Sequence, residues 1–435
     1  MIGADLDALL DDFLAFLDDS PSPHHAAASA ISRLEAAGYT RIDERGEPGP
    51  LAPGAKHYVQ RGASVLGFRV GAKAPVEAGF RIVSAHTDSP NLRIKPNPVI
   101  RNNGYVRLGV EPYGGVLLAT WADRDLGIAG QVSVRDGEGH RNLLLDIRRP
   151  ICRVPNIAIH LNRQVNDQGL VLNKQTHLPA LLTLSDDTAA EPFRDLLASE
   201  LGVDADQLIS WDLGLYDLTP PAIGGLEDEF LYSARLDNLA SCHAGLAALL
   251  ASDDRDLPDA TVIMAMFDHE EVGSTSATGA RSRLLEDVIE RVVRDAELQA
   301  PGGQQRAIAS SFHISADMAH AVHPAYADRH DKEHMPHIGK GPVIKQNVNL
   351  RYTTNDDTAA RFLALCDKAG VPCQWFVNRS DLACGSTVGP MVASNLAMNS
   401  VDVGNPMLSM HSAREMCGTA DHGMMVDALT EHFAS

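Results

Sequence analysis

The chain has 435 residues, 44% of them hydrophobic, which is ordinary for a globular protein and long enough for two or three domains. Its 37 basic residues against 57 acidic ones leave a formal charge of −20, which argues against nucleic acid or an anionic membrane as the main partner, since both need a basic face. Its six cysteines (Cys152, Cys242, Cys366, Cys373, Cys384, Cys417) form no CxxC pair, and no run reaches the roughly 20 apolar residues of a membrane span. Met1 to Asp19 lacks the basic segment of a secretory leader, so reduced thiols and a cytoplasmic location are expected.

Leu6, Leu9, Leu10, Phe13 and Leu17 recur at helical spacing between aspartates and predict an amphipathic helix over residues 4–19. Ser22-Pro23 supplies a cap and a first-turn proline for a second helix ending near Gly38, and His24 and His25 in its first turn read as surface residues. From Asn91 to about Leu226, short strand-like runs alternate with Gly, Asn and Pro turns: Tyr105 to Val110, Gly115 to Trp121, Ile128 to Arg135 and Asn142 to Ile147. This is the pattern of a β-rich insertion. On either side, longer helical patterns alternate with apolar strands, as at Asp259 to Phe267, Ser282 to Asp295, Ala307 to Ser315 and Asp356 to Ala369. Gly302-Gly303-Gln304-Gln305 reads as an exposed loop. The fold expected is α/β: a mixed-sheet catalytic domain of residues 1–90 and 227–435, interrupted by a β-rich domain at 91–226.

Four apolar runs end in residues able to bind metal, and in open α/β sheets ligands collect at the carboxyl ends of strands. Phe80 to Ala85 leads into His86-Thr87-Asp88, and Thr261 to Phe267 into Asp268-His269-Glu270-Glu271. Ala307 to Ser315 leads into Ala316-Asp317, and Met407 to Met410 into His411. Asp237 directly precedes a helical pattern from Leu239 to Ala251. The set His86, His411, Asp237, Asp317 and Glu271 suits zinc and also accepts cobalt or manganese. Five ligands are too many for one tetrahedral catalytic site. If one aspartate bridges, each of two ions has three protein ligands, and two ions about 3.5–4 Å apart can acidify a shared water and steady the attacking and carbonyl oxygens.

Glu270 is then the general base, and Asp88 the carboxylate that holds the far nitrogen of His86. Any one His or Asp after a strand is more often a cap or turn residue; five such positions carry the reading. No histidine follows Glu270-Glu271 one helical turn on, which removes a thermolysin-like zinc helix, and no Gly-x-Ser-x-Gly elbow supplies a serine nucleophile. Gly385-Ser386-Thr387-Val388-Gly389-Pro390 lacks the lysine and spacing of a P-loop and reads as a structural turn lining the pocket.

These segments, with Ser20 to His24, Ile157 to Arg163 and Gly341-Pro342-Val343-Ile344-Lys345, resemble the aspartyl aminopeptidases, the M18 family of dinuclear zinc exopeptidases, along almost the whole chain. The resemblance implies a zinc-exopeptidase-like catalytic domain and a dimerisation role for the insertion. It implies that Asp237 bridges two zinc ions, that His86 and Asp317 complete one site, and that Glu271 and His411 complete the other. It also implies hydrolysis of the first peptide bond of peptides beginning with Asp or Glu. His160, which spacing alone leaves as a buried structural histidine, gains a role, because in relatives it reaches the active site of a neighbouring subunit. It can also be read as a third zinc histidine. Lys345 is the candidate cation for the acidic side chain of the substrate, although spacing alone favours a solvated surface lysine. Relatives form tetrahedral dodecamers with enclosed active sites, so a homo-oligomer is expected. Leu350 and Ala383 depart from a frequent glutamine and proline, away from every proposed ligand. Two other readings stay open: the same fold acting on another amide, such as acylated amino acids or neutral peptides, and a non-catalytic assembly protein.

Overall fold

The computed structural model describes residues 4–46, 51–185, 187, 189–297 and 302–435. Its main element is a nine-stranded mixed sheet. Thr261–Phe267, Phe80–His86, Phe312–Ala316 and Ser400–Gly404 lie side by side and parallel, so their carboxyl ends share one edge. Helices cover both faces, which is why these strands read as continuous apolar runs rather than alternating ones. Val262, Met264 and Met266 point into a core shared with the Leu236–Ser252 and Thr419–Phe433 helices. Ile263, Ala265 and Phe267 point the other way, against the Leu284–Glu297 and Val388–Leu396 helices. Each fully buried large side chain, such as Phe80 or Phe267, contributes about 1.5–3 kcal/mol.

A six-stranded antiparallel sheet takes all its strands from between Asn91 and Asp217. It has its own core, including Leu92, Leu108, Trp121, Ile128 and Phe193, the last from the Pro192–Leu201 helix. A third, five-stranded sheet pairs Phe230–Ser233 with both Ala222–Gly224 and Glu415–Gly418. Ala222–Gly224, inside the stretch expected as insertion, is thus built onto the other part of the molecule.

Helices occupy Ala4–Asp18, Pro23–Ala36 and Asp356–Ala369, in line with the periodicity, and Ser22 caps the second by accepting from His25 N at 3.4 Å. Asp237 and Asn238 have non-helical backbones, so the regular turns of their helix begin at Leu239.

Three expectations are corrected. Gly115 to Trp121 is not a strand but a loop ending in a short 3₁₀ turn, Leu118–Trp121. Its backbone pairs with His411 instead of a neighbouring strand: Leu117 N donates to the His411 carbonyl at 3.0 Å. Gly303–Ala309 is a helix, so the supposed loop at 302–305 opens that helix and the strand expected from Ala307 begins only at Phe312. Gln304 to Ala307 are good helix formers, and Ala307 is buried against the core. His24 and His25 are not free surface residues. His24 is half-buried with Nε2 3.1 Å from Asp212 Oδ2, and burial pushes the His25 pKa down to about 4. Among the described residues no helix is long and apolar enough to cross a membrane, and all six cysteines are free thiols.

Candidate metal centre

The shared strand edge and the loops beside it deliver His86, Asp237, Glu270, Glu271, Asp317 and His411 to one cavity of about 370 Å³. His86 Nε2 lies 3.4 Å from Asp237 Oδ1, 3.6 Å from Asp317 Oδ1 and 3.9 Å from Glu270 Oε2. His411 Nε2 lies 3.3 Å from Asp237 Oδ2 and 3.3 Å from Glu271 Oε1. Asp237 therefore turns one oxygen to each histidine. His86 with Asp237 and Asp317, Asp237 with Glu271 and His411, and His86 with Glu270 and Glu271 form three groups whose ligand atoms lie within 4.8 Å of one another.

The donor set fits divalent cations. Asp237 Oδ1 and Glu271 Oε1 are buried with no hydrogen-bond partner, an arrangement that costs stability unless a positive charge sits against them. Burial pushes Glu271 up to about 7. Burial, reinforced by Asp317 and Glu271 and opposed by His86, pushes Glu270 well above the usual carboxylate range. On the rings the balance is reversed. Burial opposes charge, but Asp237 and Glu271 outweigh it and push His411 up to about 11, and Asp237, Asp317 and Asp88 likewise raise His86 well above its ordinary value.

Backbone and buried side chains aim the ligands. His411 Nδ1 donates to the Gly115 carbonyl at 3.1 Å, leaving Nε2 to face the cavity. His86 Nδ1 donates to the Asp88 backbone carbonyl at 2.9 Å, whereas the Asp88 carboxylate stands at 3.5 Å. That carboxylate is occupied elsewhere: it accepts from Glu270 N at 3.0 Å, Glu271 N at 3.1 Å and Tyr113 Oη at 2.7 Å. Asp88 thus sits beside His86 as expected, but holds the Glu270-Glu271 backbone more tightly than the imidazole.

Lys345 is buried and lines the cavity, so it is not a solvated surface lysine. Its Nζ donates to Asp317 O at 2.9 Å, Met318 O at 3.2 Å and Asp317 Oδ2 at 3.3 Å. His160 is the one predicted residue that the structure does not bring to the cluster. It lies in an exposed loop of the 91–217 segment, and it is not buried as its spacing suggested.

Glu415 escaped the sequence reading. Its Oε1 accepts from His411 N at 2.6 Å and its Oε2 from Asp237 N at 3.1 Å, so one buried carboxylate ties together two candidate ligands from different segments. Its place four residues past His411 was the only available signal.

Four parallel strands of a mixed α/β sheet, with carboxylates and imidazoles gathered at their carboxyl ends, place the chain among metal-dependent hydrolases. More specifically, the chain belongs to the M18 aminopeptidase family: the family model described as Aminopeptidase I zinc metalloprotease (M18) matches residues 16–433. It is 47% identical over 425 residues to a probable M18 family aminopeptidase 2 of Azotobacter vinelandii, covering 97% of this chain and 96% of that one. Among solved structures it is similar to a chain from the cryo-EM structure of the Ape4 and Nbr1 complex, with 36% identity, a TM-score of 0.95, and coverage of 99% of this chain and 86% of that one. It is also similar to the S. cerevisiae mApe1 dodecamer, with 26% identity, a TM-score of 0.86, and coverage of 99% and 97%.

Proposed function

We propose that this chain is a two-metal aminopeptidase that removes an N-terminal aspartate or glutamate, with Glu270 as general base. The observation that carries the reading is Asp237, whose two oxygens face two separate ligand groups. His86 and Asp317 would hold one ion with Asp237, and Glu271 and His411 the other. Divalent ions bound there, zinc by family or cobalt and manganese by donor chemistry, would supply the Lewis acidity that acidifies a water and polarises the scissile carbonyl.

The protein's own groups do the rest. Glu270 lines the cavity with 14% of its side chain exposed, accepts the proton of the attacking water and returns it to the leaving amine. Asp88 and Tyr113 keep the turn carrying Glu270 in place. Lys345 trades its longest contact, to Asp317 Oδ2, for the acidic side chain of the substrate, while two backbone carbonyls hold it. His160, exposed on its loop, serves the site of a neighbouring protomer in a homo-oligomer of the dodecameric type that the yeast relative forms. The unpaired thiols fit a cytoplasmic location.

The test is a panel of substrates with N-terminal Asp, Glu, Leu and Lys, assayed with zinc, cobalt and manganese. Asp and Glu should exceed Leu in kcat/KM by at least about tenfold, or about 1.4 kcal/mol. Equal rates on Asp and Leu would reject the preference, and fewer than one bound ion per chain in metal-supplied protein would reject the metal chemistry.

A further inference from the structure

Asp402 lies in the Ser400–Gly404 strand of the nine-stranded sheet and is fully buried. Among the described residues no basic side chain pairs with it; three neutral donors hold it instead. Oδ1 accepts from Thr387 Oγ1 at 2.6 Å, and Oδ2 accepts from Thr353 N at 2.6 Å and Thr353 Oγ1 at 3.0 Å. A buried carboxylate without a cation is costly, so its position calls for a use.

The two threonines belong to different loops, and each loop is a wall of the metal cavity. Tyr352, next to Thr353, lines it, and so do Ser386 and Thr387. The ring of Tyr352 lies 5.2 Å from Lys345 Nζ, so the first wall abuts the lysine. The fit is close: a Cβ on Gly389 would stand 2.5 Å from Asp402 Oδ2, so glycine is needed there for the carboxylate to reach the first turn of the Val388–Leu396 helix. The positive end of that helix favours a carboxylate, which helps Asp402 hold the second wall. Asp402 belongs to none of the three ligand groups.

We propose that Asp402 is a positioning residue for substrate selection. It clamps the Tyr352-Thr353 and Ser386-Thr387 walls at a fixed spacing around Lys345, where the substrate's first side chain enters. The inference rests on the reading that Lys345 receives that side chain.

Asp402→Ala removes the acceptor shared by both threonines and releases the two walls. On the metal-loaded enzyme, KM for an N-terminal Asp substrate should rise about tenfold, with kcat within about twofold, metal content unchanged and KM for an N-terminal Leu substrate little altered. Should the alanine variant fail to fold, Thr387→Val, which removes the hydroxyl at constant volume, should raise the same KM while Thr387→Ser preserves it. A KM for Asp substrates that stays at its original value in Asp402→Ala, or Thr387→Val and Thr387→Ser enzymes that behave alike, overturns the proposal. If the unaltered enzyme shows no preference for Asp over Leu, the acidic-substrate reading itself fails and this inference with it. An intact preference that survives in Asp402→Ala removes this inference alone.

Discussion

Around the cleft, buried carboxylate oxygens lack hydrogen bonds, whereas on the 91–217 segment exposed apolar side chains lack an apolar partner. Asp237 Oδ1 and Glu271 Oε1 have no hydrogen bond at all. Ile157, Leu161, Val171 and Leu184 are 53%, 77%, 82% and 72% exposed, and the first three line a groove of about 680 Å³. Contiguous exposed apolar surface of this kind marks a contact site, just as unpaired buried carboxylates mark a cation site. The two regions differ in chemical sense: the first offers unsatisfied acceptors suited to cations, the second exposed side chains suited to an apolar surface.

The most severe way to break this contrast acts on the cleft. Glu270→Gln removes the proton acceptor and spares the proposed ligands, so turnover should fall about 10²–10⁴-fold while metal content, read by elemental analysis, stays constant. Unchanged turnover would take the general-base role from Glu270. On the other region, Leu161→Asp combined with Val171→Asp puts charge into the apolar groove. Mass photometry should then show smaller species, and specific activity should fall with assembly as His160 is withdrawn from its neighbour. Full activity in a dissociated form would separate His160 from the chemistry.

The smallest effect sharpens the comparison within the nine-stranded part, at a buried histidine held by two serine hydroxyls instead of carboxylates. His313 sits between Ser84 Oγ and Ser400 Oγ, each at 2.7 Å, and burial pushes its pKa down to about 3. A depressed folded-state pKa contributes stability that is present above the unfolded value near 6.5 and is lost as pH falls toward 3. In denaturant unfolding across that window, the stability difference between the unaltered protein and His313→Asn should shrink by about 1 kcal/mol per pH unit of acidification. A flat difference would show that His313 titrates alike in both states.

Much of the α/β frame was legible because strands buried on both faces must be apolar throughout, and helices such as Asp356–Ala369 carry their own caps and period. The candidate ligands were legible because each follows a strand or starts a helix. What sequence could not show was pairing across distance. Gly115 to Trp121 has the composition of a strand, yet its backbone partner, His411, lies nearly 300 positions away. Asp88 was placed near His86 by proximity in the chain, but its carboxylate is used by Glu270 N and Glu271 N, which no spacing encodes. Spacing alone favoured a solvated Lys345, because an isolated lysine gives no sign of the Asp317 and Met318 carbonyls that accept from it.

The hydroxyl of Tyr113 and the carbonyl of Gly115, both supplied by the 91–217 segment, reach Asp88 and His411 directly. Gly114, at φ +71°, passes so close that a Cβ there would meet the Glu271 side chain at 3.0 Å. A designer trimming this segment would therefore also delete part of the cavity's mould, leaving a stub whose Glu270-Glu271 turn has lost its brace.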